Sequence, residues 1–484
     1  MKKLFATLWL LAGPYLAFSQ ESADLKLQKT DVIISKHIYG QFAEHLGRSI
    51  YDGFYRNGKI RMDIVKALKE IKVPNLRWPG GCFADQYHWR DGIGTKVSRP
   101  IGINTTWGMV PEDNSFGTHE FLELCSLIGC DPYLAGNVGT GNPQEMKDWI
   151  EYLNYGGKST LSALRAKNGH PEPFKVPFWG VGNESWGCGG NMRPEYYADL
   201  YKQYETFCMS YPGAPLKKIA GGANIDDYNW TEVLMKNIPG RSMWGLSLHY
   251  YTFPSGRWEP RGKATDFNEA EYQTSIKQAK RIEEIVTKHS AIMDKYDKGK
   301  KVALVVDEWG VWADVEAGTN PSFMYQQNTL RDALVAGLTL NVFNNHAERV
   351  KMANLAQTVN VIQSVILTKG DQMLLTPTYY IFDLYKVHQD ATLVKTDISH
   401  PDLNVSASRD AKGVVHVSIV NTSLTANVNV NLDSEVLSGK ILSSANVSDY
   451  NTFENKNKIV LKDFAAKGKT VQIPAKSVVM LTLN

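Results

Sequence analysis

A chain of 484 residues is too long for one ordinary hydrophobic core, so roughly two to three domains are expected unless a barrel takes most of the length. Its 53 basic and 50 acidic side chains nearly cancel, which gives no electrostatic reason to expect nucleic acid or an anionic membrane as partner and favours a neutral substrate. Five cysteines (Cys82, Cys125, Cys130, Cys188, Cys208) are too few for a disulfide framework, and the odd count leaves at least one unpaired.

The chain opens on Met1-Lys2-Lys3, an apolar run over 4–16 and Ala17-Phe18-Ser19: a basic head, a hydrophobic middle and a small-x-small site. Residues 1–19 therefore read as a removed signal peptide, and the protein as exported to the periplasm or the medium. The run falls short of the ~20 apolar residues that span a bilayer, so no membrane attachment is expected after cleavage. Residues 20–35 are expected to add a strand to the C-terminal domain.

Over 36–388, short apolar runs alternate with longer amphipathic stretches, the βα repetition of a parallel sheet covered by helices. The runs are 37–43, 73–78, 131–136, 176–182, 218–223, 245–250, 302–307 and 351–356, and eight of them predict a closed (β/α)8 barrel. Helical spacing marks 61–71, 118–128, 143–153, 194–209, 275–296 and 326–343. In the last, Leu330, Leu334, Gly337 and Leu338 share a face and predict a buried helix, while Cys125 and Cys130 read as core-filling thiols. From 389 to 484 the texture changes to short strand-like runs at 415–420, 426–432, 459–461 and 478–483, separated by Asn, Ser, Asp and Gly. That pattern predicts an all-β, jelly-roll-like sandwich.

In a (β/α)8 barrel the reacting groups sit at the C-terminal strand ends, where eight loops converge. Those ends carry Glu44, Arg77 before Pro79-Gly80-Gly81, Asn137, Asn183-Glu184, Asn224 with Asp226, His249 with Tyr251, Glu308 and Gln357. Such a ring of donors and acceptors suits a hydroxyl-rich ligand, and the nearby Trp78, Trp107, Trp179, Trp186 and Trp309 offer faces for sugar C–H groups. Barrel packing is the simpler reading for each tryptophan except Trp107, which stands in a loop. Glu184 and Glu308 end the fourth and seventh runs, each beside or near a Trp. One carboxylic acid to protonate a leaving oxygen and one carboxylate to attack are the equipment of glycoside hydrolysis, and burial raises the pKa of the acid.

The motifs Tyr39-Gly40-Gln41-Phe42-Ala43-Glu44-His45, Arg77-Trp78-Pro79-Gly80-Gly81, Asn114-Ser115-Phe116-Gly117, Asn137-Val138-Gly139-Thr140-Gly141, Gly182-Asn183-Glu184, His249-Tyr250-Tyr251, Asp307-Glu308-Trp309-Gly310 and Ala356-Gln357-Thr358 resemble, in order and spacing, those of the family 51 glycoside hydrolases, which are α-L-arabinofuranosidases. The resemblance implies Glu184 as acid/base, Glu308 as nucleophile and Asn183 as a donor to the sugar 2-hydroxyl. It places Glu44, Arg77, Trp107, Asn137, Tyr251 and Gln357 at the arabinose subsite, with His249 near the nucleophile. Cys82 stands where family members often have an asparagine that touches the sugar, and its thiol is a poorer hydrogen-bond partner; a packed thiol is expected there, with packing or metal binding as its role. The resemblance further implies an exo-acting, retaining enzyme on arabinofuranosyl glycans and an assembly of several subunits.

Rival readings are another glycosidase of the same clan, a β-xylosidase or endo-β-glycanase, and a noncatalytic carbohydrate-binding protein. Two glutamates alone do not define the sugar, whereas their presence counts against a noncatalytic scaffold. A metal-dependent barrel hydrolase needs clustered histidines, yet there is no HxH or HExxH, so neither metal nor cofactor is expected.

Overall fold

The computed structural model describes residues 21–484; the proposed leader, 1–19, lies outside the described residues. After β1 (Glu21–Ile33), eight parallel strands close a barrel: β2 (Gly40–Phe42), β3 (Asn75–Trp78), β4 (Asp131–Gly136), β5 (Phe178–Val181), β6 (Lys217–Asn224), β7 (Gly245–Thr252), β8 (Ala303–Val311) and β9 (Val350–Leu355). Each coincides with one of the eight apolar runs. Parallel strands under helices are buried on both faces, so β8 is buried throughout and reads as continuous hydrophobicity rather than alternation. The first run differs at its start, because Lys36–Tyr39 winds into a 3-10 turn and only three residues pair.

The barrel's outer helices are α1 (Met62–Glu70), α2 (Thr118–Ile128), α3 (Pro143–Asn154), α4 (Thr160–Lys167), α5 (Pro194–Phe207), α6 (Tyr228–Asn237), α7 (Glu269–Tyr296) and α8 (Leu330–Asn345), with α9 (Pro377–Tyr385) following the last strand. Their ends follow local chemistry: Asn142 caps α3 by accepting from the Glu145 amide ahead of Pro143 at the first turn, and α2 stops at Gly129, whose φ of 82° suits a residue without Cβ. Helices α4, α6 and α9 escaped the periodicity reading, being short and polar (α4, α6) or apolar nearly all round (α9).

Inside the barrel, Tyr133, Phe178, Ile219, Ala303, Val305 and Met352 form a small apolar plug. Above it the interior turns polar, and β8 supplies the reason. Along β8 the register with β7 passes from Ser247↔Val305 to His249↔Glu308, two residues against three, and the register with β9 from Val306↔Ala353 to Trp309↔Leu355. This bulge breaks the strict alternation of side chains, so the consecutive Asp307 and Glu308 both turn into the barrel.

The C-terminal strands are β10 (Thr392–Asp397), β11 (Leu403–Arg409), β12 (Val415–Asn421), β13 (Val428–Ser443), β14 (Lys462–Phe464), β15 (Gly468–Ile473) and β16 (Ser477–Leu483). They form one connected sheet in the order β1-β10-β11-β12-β16-β13-β14, with β15 on β13. Strand β1 pairs antiparallel with β10 and parallel with β13, so the sheet folds back on itself around its own core of Leu25, Val405, Ile419, Val430 and Leu481. The run at 459–461 is not a strand; pairing begins at Lys462.

Helix α8 is buried on nearly every side because it lies between barrel and sheet. Its sheet-facing asparagines are satisfied across the boundary: Asn344 donates to Ser406 Oγ, Asn341 to the Asn404 carbonyl, and Asn341 Oδ1 accepts from Ser406 and Ser418. A Cβ on Gly337 would stand 3.0 Å from Val420 Cγ2, so glycine permits the close approach.

Candidate active site

At the C-terminal strand ends a cavity of about 640 Å³ opens, lined near its floor by Glu44, Gly81, Cys82, Trp107, Glu184, Tyr251, Glu308 and Gln357. Gly80 and Gly81 let the loop after β3 pass against the carboxylates: a Cβ on Gly81 would meet Glu308 Oε1 at 3.1 Å and Glu44 Oε1 at 3.2 Å. Glu184 sits at φ 41°, a left-handed conformation that a non-glycine residue rarely adopts and that costs on the order of 1–3 kcal/mol. The following turn holds it, with Gly187 and Gly189 amides donating to the Glu184 carbonyl.

Glu308 is fixed from two sides. Its Oε1 accepts from Arg77 Nη1 at 2.8 Å, and its Oε2 from the Tyr251 hydroxyl at 2.7 Å. His249 stands between the carboxyl groups: Nδ1 lies 2.7 Å from Glu184 Oε1 and 3.6 Å from Glu308 Oε2, and Nε2 lies 3.1 Å from Asp307 Oδ1. Single ligating atoms of Glu184, His249 and Glu308 all fall within 4.8 Å of one another.

The charges set one another. Burial pulls the His249 imidazole down, but the charge of Glu308 and the hydrogen bonds to Asp307 and Glu184 outweigh it and push its pKa up to about 10, so the ring is a cation at neutral pH. Burial raises the Glu184 carboxyl and the charge on Glu308 adds to this, against the hydrogen bond from His249. Asp307 goes the other way: burial alone would raise it, but Arg77 and His249 hold it below the usual carboxylate range. Burial, then Glu308, pushes Glu44 up to about 7. Glu44 is gripped by three donors, the Phe83 amide and Trp107 Nε1 on Oε1 and Gln357 Nε2 on Oε2, at 2.9–3.0 Å.

Glu44, Cys82, Trp107, Glu184, Tyr251, Glu308 and Gln357 thus share the cavity, and the expectations for Arg77, Asn137, Asn183 and Cys82 need correction. Arg77 is 1% exposed and lies beneath the floor, its fork spent on Glu308 and Asn183 Oδ1 (2.6 Å) while its face stacks on Phe42. Asn137 does not reach the cavity; it accepts from the Thr140 and Gly141 amides and donates to the Tyr87 carbonyl, closing its own loop. Asn183 is buried next to Glu184 and is not part of the lining; His249, also buried, keeps its place near the nucleophile, 3.6 Å from Glu308 Oε2. Cys82 is no packed thiol: it forms a disulfide with Cys188, 106 residues away, so its sulfur has no proton to offer a sugar hydroxyl. Cys125 and Cys208 are buried free thiols and Cys130 is half-buried.

Trp78, Trp179 and Trp309 are core residues, whereas Trp107 and Trp186 line the cavity. Sequence reasoning did not single out Asp85, Asp307, Trp258 or Trp312. Asp85 accepts from the Val138, Gly139 and Asn183 amides and so ties the ends of β4 and β5 to the loop after β3. No local signal distinguishes it. Asp307 was visible beside Glu308, but strand alternation would have turned it away from the site.

Residues 67–260 match the family description "Alpha-L-arabinofuranosidase 1 domain" and residues 307–477 "Alpha-L-arabinofuranosidase C-terminal domain". The chain is 48% identical to an intracellular exo-α-L-arabinofuranosidase of Bacteroides ovatus, covering 100% of this chain and 99% of that one. The crystal structure of the GH51 arabinofuranosidase from Xanthomonas axonopodis pv. citri superposes with a TM-score of 0.93 at 46% identity, over 96% of this chain and 100% of that one. That of the α-L-arabinofuranosidase from Thermotoga maritima, in an arabinose complex, does so at 0.85 and 30%, over 96% and 99%.

These relatives correct one expectation. Export to periplasm or medium is overturned by the Bacteroides ovatus relative, matched over 99% of its length and named intracellular. The expectation rested on the composition of residues 1–19, and a basic head before an apolar run meets the pattern of a leader by composition alone. The family resemblance read from the strand-end motifs is borne out: the chain belongs to the family 51 glycoside hydrolases and is an α-L-arabinofuranosidase.

Proposed function

We propose that the chain releases terminal arabinofuranosyl groups from arabinose-containing glycans by double displacement, with Glu308 as nucleophile and Glu184 as acid/base. The observation that carries this is the spacing: a Glu184 oxygen and a Glu308 oxygen lie within 4.8 Å of each other. Retaining enzymes hold their carboxyl groups about 5–5.5 Å apart, whereas inverting enzymes need about 6.5–9.5 Å to admit a water.

Glu308 attacks the anomeric carbon, oriented by Arg77 and Tyr251, while the protonated Glu184 delivers its proton to the leaving oxygen. Esterification of Glu308 then removes the negative charge that helps keep Glu184 protonated. The same carboxyl can now take a proton from water, which cleaves the arabinosyl-enzyme with retention. Glu44, Gln357 and Trp107, cross-linked by their own hydrogen bonds, bound the floor and receive the sugar hydroxyls. Arg77, Asn183 and His249 act by positioning these groups.

The test is turnover of nitrophenyl α-L-arabinofuranoside beside the β-D-xyloside and β-D-glucoside. Turnover of the arabinofuranoside with an anomer of retained configuration is expected. Activity confined to another glycoside would keep the fold and refute the sugar.

The role of His249 predicts a pH effect. In His249→Gln, Glu184 loses the hydrogen bond and the positive charge that hold its pKa down. Because the acid form of Glu184 is required, the alkaline limb of kcat/KM is expected to move to higher pH, and a limb that stays in place would contradict the role.

Beyond the floor the cavity runs past Trp186, Asn224 and Tyr250 to Trp258, which is 57% exposed and T-packed on Trp312, with Arg261 clamped 4.6 Å and 4.5 Å from the two rings. This rim suits a sugar of the leaving chain. Trp258→Ala is expected to raise KM for arabino-oligosaccharides roughly fivefold, the equivalent of about 1 kcal/mol of stacking, with a smaller change for the nitrophenyl substrate. Equal changes on both would place the tryptophan in structural support. A multi-subunit assembly, implied by the resemblance, is part of this reading and is checked by sedimentation.

A further inference from the structure

The Cys82–Cys188 disulfide lies against the carboxyl assigned the proton-transfer role. Its sulfurs stand 3.7 Å (Cys82) and 3.4 Å (Cys188) from Glu184 Oε2, the oxygen turned away from His249. Both cysteines line the cavity and Cys188 is exposed, so a small reductant reaches the bond through the substrate entrance. Disulfide sulfurs carry no proton, so in the oxidised form neither contact is a hydrogen bond.

Reduction changes the chemistry of this corner. A dithiol reductant passes two electrons and two protons to the bridge, leaving itself as a disulfide and the protein with two thiols beside a carboxyl group. The ligating atoms of Cys82, Glu184 and Cys188 all fall within 4.8 Å of one another. In a tetrahedral zinc site with Zn–S of about 2.3 Å and Zn–O of about 2.1 Å, sulfur and oxygen are roughly 3.6 Å apart, which the two S···O distances already match. The sulfurs separate by side-chain rotation, with Gly81 before one cysteine and Gly187 and Gly189 around the other. The cavity leaves the fourth position open.

We propose that the reduced enzyme binds one soft divalent cation of the zinc type through Cys82, Cys188 and Glu184, and that the ion switches hydrolysis off by occupying the oxygen that carries the catalytic proton. Binding displaces both thiol protons and the Glu184 proton to solvent. The oxidised enzyme lacks thiolates, does not take up the ion and stays active. The switch rests on the acid/base reading of Glu184; the binding site does not.

The experiment uses the full chain, reduced and desalted without air, and titrated with Co²⁺ as a spectroscopic probe and with Zn²⁺ for activity. A thiolate-to-cobalt charge-transfer band saturating at a single ion per chain is expected in the reduced protein. No band is expected in the oxidised protein or in the Cys82→Ser/Cys188→Ser double variant, which keeps the other three cysteines. Zinc is expected to lower kcat/KM of the reduced enzyme on the order of 100-fold, the lower range of a general acid's contribution, with recovery on adding a chelator. No band in the reduced wild type, or an equal band in the double variant, overturns the site. A band with undiminished activity overturns the switch; Glu184→Ala, assayed alongside, then tells whether the acid/base reading fell with it.

Discussion

Glu308→Ala is expected to lower kcat by on the order of 10⁴-fold or more, because no covalent intermediate can form, while the fold is kept. Glu184→Ala is expected to behave differently. Nitrophenol leaves without much protonation, so its release suffers far less than that of a sugar alcohol, and the arabinosyl-enzyme accumulates for want of a base. Added azide, small and already anionic, enters the vacated space and restores turnover, giving an azido sugar of retained configuration. In Glu308→Ala azide attacks from the nucleophile's side and gives the inverted product. Product stereochemistry therefore separates the two roles, and identical configurations from both variants would sink the assignment.

Arg77→Met is expected to be the most damaging change outside the cavity. Arg77 is fully buried between Asp307 (3.6 Å), Glu308 (2.8 Å) and Asn183 (2.6 Å). Removing one partner from a buried ion cluster leaves uncompensated charge and costs about 3–5 kcal/mol. Activity falls as well, since Glu308 loses its donor and Asn183 its anchor. The pH dependence gives the test its sign. In the native protein the Asp307 pKa is lowered below 3.8, so its contribution to stability is present above that value and is lost as pH falls through the folded pKa. Without Arg77 that contribution shrinks, so the stability gap between wild type and variant is expected to be widest at neutral pH and to narrow in acid. Chemical unfolding at pH 7 and near pH 3 measures it; a gap that does not change with pH would show that Arg77 acts by packing alone.

Much of this architecture is legible in the residues alone. Each of the eight apolar runs became a barrel strand, because a strand buried on both faces leaves a local record in composition, and the polar residue that ends it leaves another. Short or irregular elements leave no such record. The strands β10 and β11 pass through Lys395, Thr396, Asn404 and Ser408 and lack a clean apolar run. The expected sandwich closes into one folded-back sheet because β1, more than 350 residues upstream of β10, pairs on both of its edges.

Glu184 and Glu308 were legible as a pair because each closes an apolar run, and Glu44, Trp107, Tyr251 and Gln357 because each stands at a strand end or in the loop beyond one. What these residues touch was decided elsewhere. The bulge in β8 turns Asp307 and Glu308 into the same interior, Arg77 and Asn137 are spent on protein groups rather than on sugar, and the Asp85 carboxylate joins three segments by accepting from backbone amides. The sequence by itself determined the barrel, the open face and the carboxylates on it, since these follow from local alternation of apolar and polar residues. Only the tertiary structure decided the register shift, the partners of each charge and the pairing of Cys82 with Cys188, because those contacts join residues with no mark in their own neighbourhoods.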